Sequence, residues 1–574
     1  MYRVNYIQPN NPTYEERKNM VRIALEEVGR LEDFDNLLEL LAPPKEITNI
    51  ASPGIATGKG IKVGIIGAGV AGLSAAFELR KLGFDITIFE QQKQRIGGRI
   101  YTHYFDKERD LYGELGAMRI PAIHEAAWNY IDLFKLPTSK FVENNPNTYI
   151  YIRNTRVRND PQGIGVSREI YPQFNLTAAE KELSWRQLIG LGLEKELYKI
   201  DPETRRELVE IKKEYSPQIN ALGDLSIRRV MELNGLSQGA MELIASISSF
   251  LGYFYYNSYM ENLQEQYTVD YAFRYYINGG FANLPNAFYN SLISGNPKEY
   301  INIPQSDLGT VTFKMGRSVN EMHLNSDNNK VSINYSYEDR PEPVYSEEFD
   351  YVVCAIPFSS LRNIDLYPMF STDKMQAIRA LNYTQSQKTL FLCNDRFWER
   401  EPSKIVGGSS ITDLVISTIW YPNNLTINNT NRRTKESKKH KRQITLDNPG
   451  VLLASYNLNQ DAIRLGNNQP YIDRVKRQVE NVHGLPLDYL NSIVEDYKLI
   501  QWDQEDGFFG AFCYYLPQQQ RLFAYSSAKS EYNERVYFAG EHVSTAHGWL
   551  QGSFNSAMKA ANDIAAHYKN NFIN

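Results

Sequence analysis

Residues 62–90, KVGIIGAGVAGLSAAFELRKLGFDITIFE, predict an α/β protein built around a dinucleotide-binding strand–turn–helix–strand unit. Two further observations agree with that class. Short apolar runs recur far along the chain, at 351–356 (YVVCAI) and 536–539 (VYFA), each bounded by turn residues as buried strands are. Between the first unit and these runs lies a stretch of helical character at 178–268.

Taken in chain order, residues 14–42 are charged and amphipathic and read as one or two helices, ended by Pro43-Pro44. Residues 46–61 form a polar, glycine-containing connector. Val63, Ile65 and Ile66 then make an apolar strand that runs into Gly67-Ala68-Gly69-Val70-Ala71-Gly72. Gly67 permits the tight turn, Gly69 lets backbone approach a pyrophosphate, and Gly72 lets the helix pack against the strand. The helix N-terminus offers N–H groups and a positive dipole end to phosphate. Ile86, Ile88 and Phe89 form the second strand, which ends on Glu90, placed for a ribose 2′-hydroxyl. Segments 308–326 and 330–336 read as strands around the turn Asp327-Asn328-Asn329, and a helix is expected over 551–566. No internal repeat is evident.

At 574 residues the chain is too long for one core, so two or three domains are expected. A net charge of −5 gives no reason to expect nucleic acid or an anionic membrane surface. Three cysteines (Cys354, Cys393, Cys513) provide no disulfide framework. The first residues lack an apolar signal-peptide core, and no apolar run reaches the ~20 residues of a membrane span, so a cytoplasmic location is expected. Residues 425–446 crowd seven lysines and arginines into a polar segment, read as a solvated insertion, with a docking patch for an acidic partner as the alternative. No metal site is assigned.

Arg95-Ile96-Gly97-Gly98-Arg99 follows Glu90 closely and suggests a second phosphate and flavin contact. This spacing resembles the flavin amine oxidase superfamily, and three further segments resemble its L-amino acid oxidases. In 113–121, GELGAMRIP, the match makes Arg119 the clamp for a substrate α-carboxylate; pairing with cofactor phosphate or with a buried acid such as Glu114 is the structural alternative. In 536–553, VYFAGEHVSTAHGWLQGS, Glu541 resembles the acidic contact to the FAD sugar chain. His547-Gly548-Trp549 there resembles the segment beside the flavin ring, with the Gly548 carbonyl facing the substrate amine. Lys388, in QSQKTLFLC, stands where the family has a lysine that holds a water near flavin N5; a strand-edge lysine facing solvent is the alternative. Val319 resembles the residue whose backbone meets adenine, and Tyr456 or, one residue away, Ser455 would share carboxylate recognition. Asn278-Gly279-Gly280 and Leu284-Pro285 match the family's return into the cofactor domain.

The resemblance implies FAD, non-covalently held by Gly67, Ala68, Gly69, Ala71, Gly72, Glu90, Gln91, Arg95, Gly98, Arg99, Gly116, Ala117, Met118, Arg119, Val319, Gly540, Glu541, Gly548, Trp549, Leu550 and Ser553. The catalytic set would be Lys388, Arg119, Tyr456, Gly548 and Trp549. Two departures stand out. Where venom-type members have a histidine, this chain offers Gln264 or Glu265, and an acid there could select a basic side chain. Cys513 lies near the flavin-attaching cysteine of monoamine oxidases but is offset by about two residues. The implied fold is a discontinuous Rossmann-like FAD domain (55–100, 275–382, 530–570), a mixed-sheet substrate domain (1–54, 101–160, 383–529) and a helical domain (161–274). The implied reaction is oxidative deamination of an L-amino acid by dioxygen, in a homodimer or higher homo-oligomer. Rival readings are an amino-acid monooxygenase that yields an amide, an amine or polyamine oxidase, and a non-catalytic flavoprotein scaffold.

Overall fold

The computed structural model describes residues 6–51, 58–248, 250–423, 449–466 and 469–572; the basic segment 425–446 lies outside the described residues. The N-terminal helices span Tyr14–Glu27 and Phe34–Leu41, the first opened by a capping box between Thr13 and Glu16. The first is pinned by Arg17, which is buried and donates to Glu125 at 2.8 Å and to Asp132 at 3.0 Å. The central unit follows as β1 (Lys62–Ile66), α1 (Val70–Arg80) and β2 (Asp85–Glu90). All of α1 is buried, so its sequence carries no polar face.

The stretch expected to be helical is divided into seven short α-helices between Ala178 and Tyr267, the last being α2 (Tyr259–Tyr267). Each begins behind a side-chain N-cap: Thr177, Ser184, Asp201, Ser216, Ser226, Ser237 and Ser258. These caps satisfy N–H groups that a helix start leaves free, and so make frequent restarts inexpensive.

β1 and β2 join a parallel sheet with β3 (Val311–Met315), β4 (Tyr351–Cys354) and β5 (Val536–Phe538), in the order β3-β2-β1-β4-β5. Strand alternation sends Ile65, Ile88 and Val353 into one core, with α1 and the C-terminal helix α3 (Leu550–Phe572). Ile66, Phe89 and Val352 face the other core, shared with an antiparallel meander over 317–349. Both faces are covered, which is why these strands read as continuous apolar runs. The meander presses so closely that a Cβ on Gly64 would lie 2.8 Å from Ile333 Cδ1. Its turn falls at 326–329, where the sequence places it, and α3 starts one residue before the expected helix and runs six residues beyond it.

A second, seven-stranded sheet has the order Val494–Gln501, Ser386–Cys393, Gly450–Leu458, Thr418–Trp420, Ser409–Thr412, Tyr149–Ile152, Thr155–Arg158. Only the pair 409–412 with 149–152 is parallel. The helix Gln469–His483 covers one face through Ile472, Val475, Val479 and Val482, against Phe391 and Leu452. The opposite face, carrying Lys388, Leu390 and Tyr456, looks toward the interior of the molecule. Among the described residues no helix is long and apolar enough to cross a membrane.

Candidate active site

A cavity of about 1240 Å³ runs from the C-terminal end of the parallel sheet to the second sheet and the helical region. At the sheet end, Gly67 has φ of +100°, and a Cβ there would lie 2.8 Å from Ile356 Cγ2. Gly72 is tighter still: its Cβ would sit 2.0 Å from the Gly67 carbonyl oxygen. Gly69 caps α1 without a side-chain bond, and its nearest neighbour would be Gly98 Cα at 3.9 Å. The N-terminus of α1 is therefore open toward the cavity. The Glu90 carboxylate, at the end of β2, accepts from the N–H of Ala68 at 2.8 Å and of Gln92 at 2.9 Å. Burial pushes that carboxyl up, against the pull of the two amides.

Gly67, Gly69, Ala71, Glu90, Gln91, Gly98, Arg99 and Val319 all line this end. Ala68, Gly72 and Arg95 do not line it. Ala68 accepts from Gly97 N–H at 2.8 Å and thereby locks the two glycine turns together. Arg95 donates to the carbonyls of Gly98 and Ile100 and lies 4.8 Å over the Tyr101 ring, so it braces the loop from behind.

The middle of the cavity is organised by Glu541. It pairs with Arg99 at 2.7 Å and accepts from the N–H of Gly548 at 3.0 Å and of Cys513 at 3.2 Å. Burial raises this carboxyl, but Arg99 and the neighbouring histidines outweigh it and hold the group below its usual range. His547 donates through Nδ1 to the Glu261 carboxylate of α2 at 2.8 Å, which ties the His547-Gly548-Trp549 segment to the helical region. His542 is fully buried on the cavity wall, and neither ring nitrogen has a partner. Gly116, Ala117, Met118, Gly540, Leu550 and Ser553 complete the wall. Cys513 is buried outside the lining, with burial pushing its thiol up to about 11.

At the inner end the structure brings together Arg119, Lys388, Tyr456, Gly548 and Trp549. Lys388 and Tyr456 are direct partners across antiparallel strands, so they share a face; the Lys388 ammonium lies 4.4 Å over the Tyr456 ring. Ser455 faces the other way and donates to Gln387 at 3.0 Å, so of the two only Tyr456 lines the cavity. Lys388 donates to the Gly116 carbonyl at 2.7 Å and is 2% exposed, so it is no strand-edge lysine facing solvent. Burial, with Arg119 adding to it and Glu114 opposing, pulls its pKa down to about 7.

Arg119 does pair with an acid, Glu143 at 3.3 Å and not Glu114, and lies 5.0 Å over the Trp420 ring. Glu143 also accepts from Arg274 at 2.7 Å. Glu114 instead accepts from the Phe281 N–H at 2.8 Å and from Thr102, and burial pushes it up to about 7. Trp549 donates from its indole N–H to Glu265 at 3.1 Å and meets the edge of His124 at 5.2 Å. Of the Gln264/Glu265 alternatives, Glu265 lines the cavity and Gln264 is buried away from it. Glu143, Glu261, Arg274 and His542 were not foreseen. Only Glu261 carried a signal, as the third residue of a capped helix whose apolar neighbours turn it inward.

Lys388→Met gives a prediction with a definite sign. Between a folded pKa near 7 and the unfolded lysine value, the unfolded chain binds more protons, so wild-type stability gains with rising pH in that window. The variant lacks this increment. Its advantage in Tm over wild type should be largest below pH ~7 and shrink toward pH ~10. A constant difference across that range would show that Lys388 is not held near neutrality.

The open N-terminus of α1, the space before Gly69, the carboxylate of Glu90 and the unpartnered nitrogens of His542 fit an extended dinucleotide such as FAD. Fold and cavity thus define a dinucleotide-dependent oxidoreductase. The sequence profile of the flavin containing amine oxidoreductases matches residues 70–565, and the chain belongs to that family, whose cofactor is FAD. Among curated proteins it is 28% identical over 555 residues to an L-amino-acid oxidase of Gloydius halys, covering 95% of each chain. It is likewise 28% identical over 554 residues to the L-amino-acid oxidase BmooLAAO-I of Bothrops moojeni, again with 95% of each covered. A solved putrescine oxidase bound to putrescine superposes with a TM-score of 0.62 at 14% identity, over 88% of this chain and 99% of the other, which bears on the fold alone.

Proposed function

We propose that this flavoenzyme oxidises an L-α-amino acid with dioxygen and water to a 2-oxo acid, ammonia and hydrogen peroxide. The observation that carries the reading is Arg119, an arginine at the inner end of the cavity whose partner Glu143 is itself held by Arg274. A carboxylate arriving from the cavity meets a guanidinium with donors to spare, while Glu143 keeps its second cation. Planar guanidinium and planar carboxylate match through two parallel hydrogen bonds, which fixes the direction of the Cα–H bond. The Tyr456 hydroxyl adds a donor from the adjacent strand, and the Gly548 carbonyl, next to Trp549, is an acceptor for the amine.

FAD, when bound by the glycine turns, Glu90 and Glu541, supplies the two-electron acceptor that dioxygen restores. The chain itself orients the substrate, excludes water and handles protons. A substrate amine must be neutral for its lone pair to assist, and Lys388, poised near pH 7, can hold a water or a proton at Nζ. Cys513 lies outside the lining, which supports non-covalent retention of the cofactor. Product analysis tests the reading against its nearest rival. Equimolar 2-oxo acid, ammonia and peroxide are expected; an amide with loss of carbon dioxide would make the enzyme a monooxygenase.

A further inference from the structure

Helix α2 turns one polar face toward the inner end of the cavity: Asn262, Glu265 and Gln266, at i, i+3 and i+4, all line it. Asn262 is 8% exposed, and its Oδ1 has no hydrogen-bond partner. Glu265 accepts the Trp549 indole N–H on one oxygen and the Tyr271 hydroxyl on the other. That leaves about half of the acceptor positions of a carboxylate unused. Aromatic rings line the same end: Phe250 lies 4.7 Å from Tyr456, and Phe254 stacks on Tyr514 at 4.2 Å. The combination is a half-used carboxylate and an unpartnered amide oxygen at one wall and an apolar surface beside it.

We propose that this face of α2 is the side-chain subsite and that it selects an L-amino acid with a cationic side chain, a guanidinium or an ammonium on an apolar stem. The inference rests on the oxidase reading above. An apolar side chain would seal the free lone pairs of Glu265 away from water with nothing in exchange, and would leave the already buried Asn262 Oδ1 without a partner. A guanidinium or ammonium supplies those donors, while its methylene stem lies on the rings. The α-carboxylate end is already provided for by Arg119, so the two charges of the substrate are read at separate places.

The test is steady-state oxidation by the holoenzyme with L-arginine, L-lysine, L-leucine and L-phenylalanine. Wild type should have a higher kcat/KM for L-arginine or L-lysine than for the two apolar substrates. Glu265→Gln should lower the ratio of L-arginine to L-leucine by ~30-fold or more, as loss of one partner of a buried charge pair does. Asn262→Leu should lower the same ratio, and should also weaken the perturbation of the flavin spectrum by L-arginine under anaerobic conditions. A wild-type preference for L-leucine, or equal losses on both substrates in Glu265→Gln, would overturn the subsite while leaving the oxidase reading standing. Absence of turnover with every L-amino acid would instead remove the reading on which the subsite rests.

Discussion

Arg119→Met is expected to lower kcat/KM toward L-amino acids by about 100- to 1000-fold, the loss of a desolvated charge-assisted contact of roughly 3–4 kcal/mol. Methionine replaces the stem without the charge, and Glu143 retains Arg274 at 2.7 Å, so no buried carboxylate is orphaned. The fold should therefore survive, and Tm of the variant is the control. The contact is made in both ground and transition state and also orients the Cα–H bond. Both a higher KM and a lower kcat are therefore expected. A change below about threefold, with the usual products, would place Arg119 outside carboxylate binding and favour an amine substrate.

The second large effect concerns the glycine turn and separates packing from cofactor binding. Gly72→Ala puts a methyl group 2.0 Å from the Gly67 carbonyl oxygen, a backbone atom that cannot swing aside. Either α1 moves off β1 or the turn opens, at a cost of about 3 kcal/mol or more. The variant should purify without flavin and melt well below wild type. Gly69→Ala differs in kind. Gly69 has φ of −69° and ψ of 170°, open to alanine, and no atom other than Gly98 Cα comes within 4 Å. Its stability without cofactor should match wild type within about 0.5 kcal/mol, while its FAD affinity falls because the methyl occupies the approach to phosphate. Equal stability losses in the two variants would contradict this division of roles.

The parts of the fold legible in the chain are those set by short-range pattern. The βαβ unit needs only 29 contiguous residues, 62–90, and its glycines have steric reasons visible in the sequence spacing. The meander declares itself through alternation around 326–329. The helical region was legible in type and not in division, although the caps Thr177, Ser184, Asp201, Ser216, Ser226, Ser237 and Ser258 mark every restart. The seven-stranded sheet is expected only through the resemblance, as the mixed sheet of the substrate domain; its order and register are not legible because its strands are scattered over 149–501 and several have only three or four residues.

The same divide runs through the site. Arg119 and the His547-Gly548-Trp549 string carry local patterns. The choice of Tyr456 over Ser455 depends on the pairing of Lys388 with a strand 68 residues away, a register that sequence cannot supply. Glu143 sits in FVENNPN, a segment with no motif, and acquires its meaning from two arginines that the fold delivers to it. Asn262 and Glu265 share a helix face, and its orientation follows from Glu261 and Glu265, one turn apart, holding His547 and Trp549.

The central claim, that an α-carboxylate and amine are presented together to the cofactor, is tested most directly by an anaerobic absorption spectrum of the purified yellow protein before and after L-amino acids. Bleaching of the flavin bands by L-amino acids but not by the corresponding amines, reversed by air with release of peroxide and ammonia, is the predicted result. A flavin that stays oxidised with every L-amino acid and bleaches with amines would contradict it and leave Arg119 a structural residue.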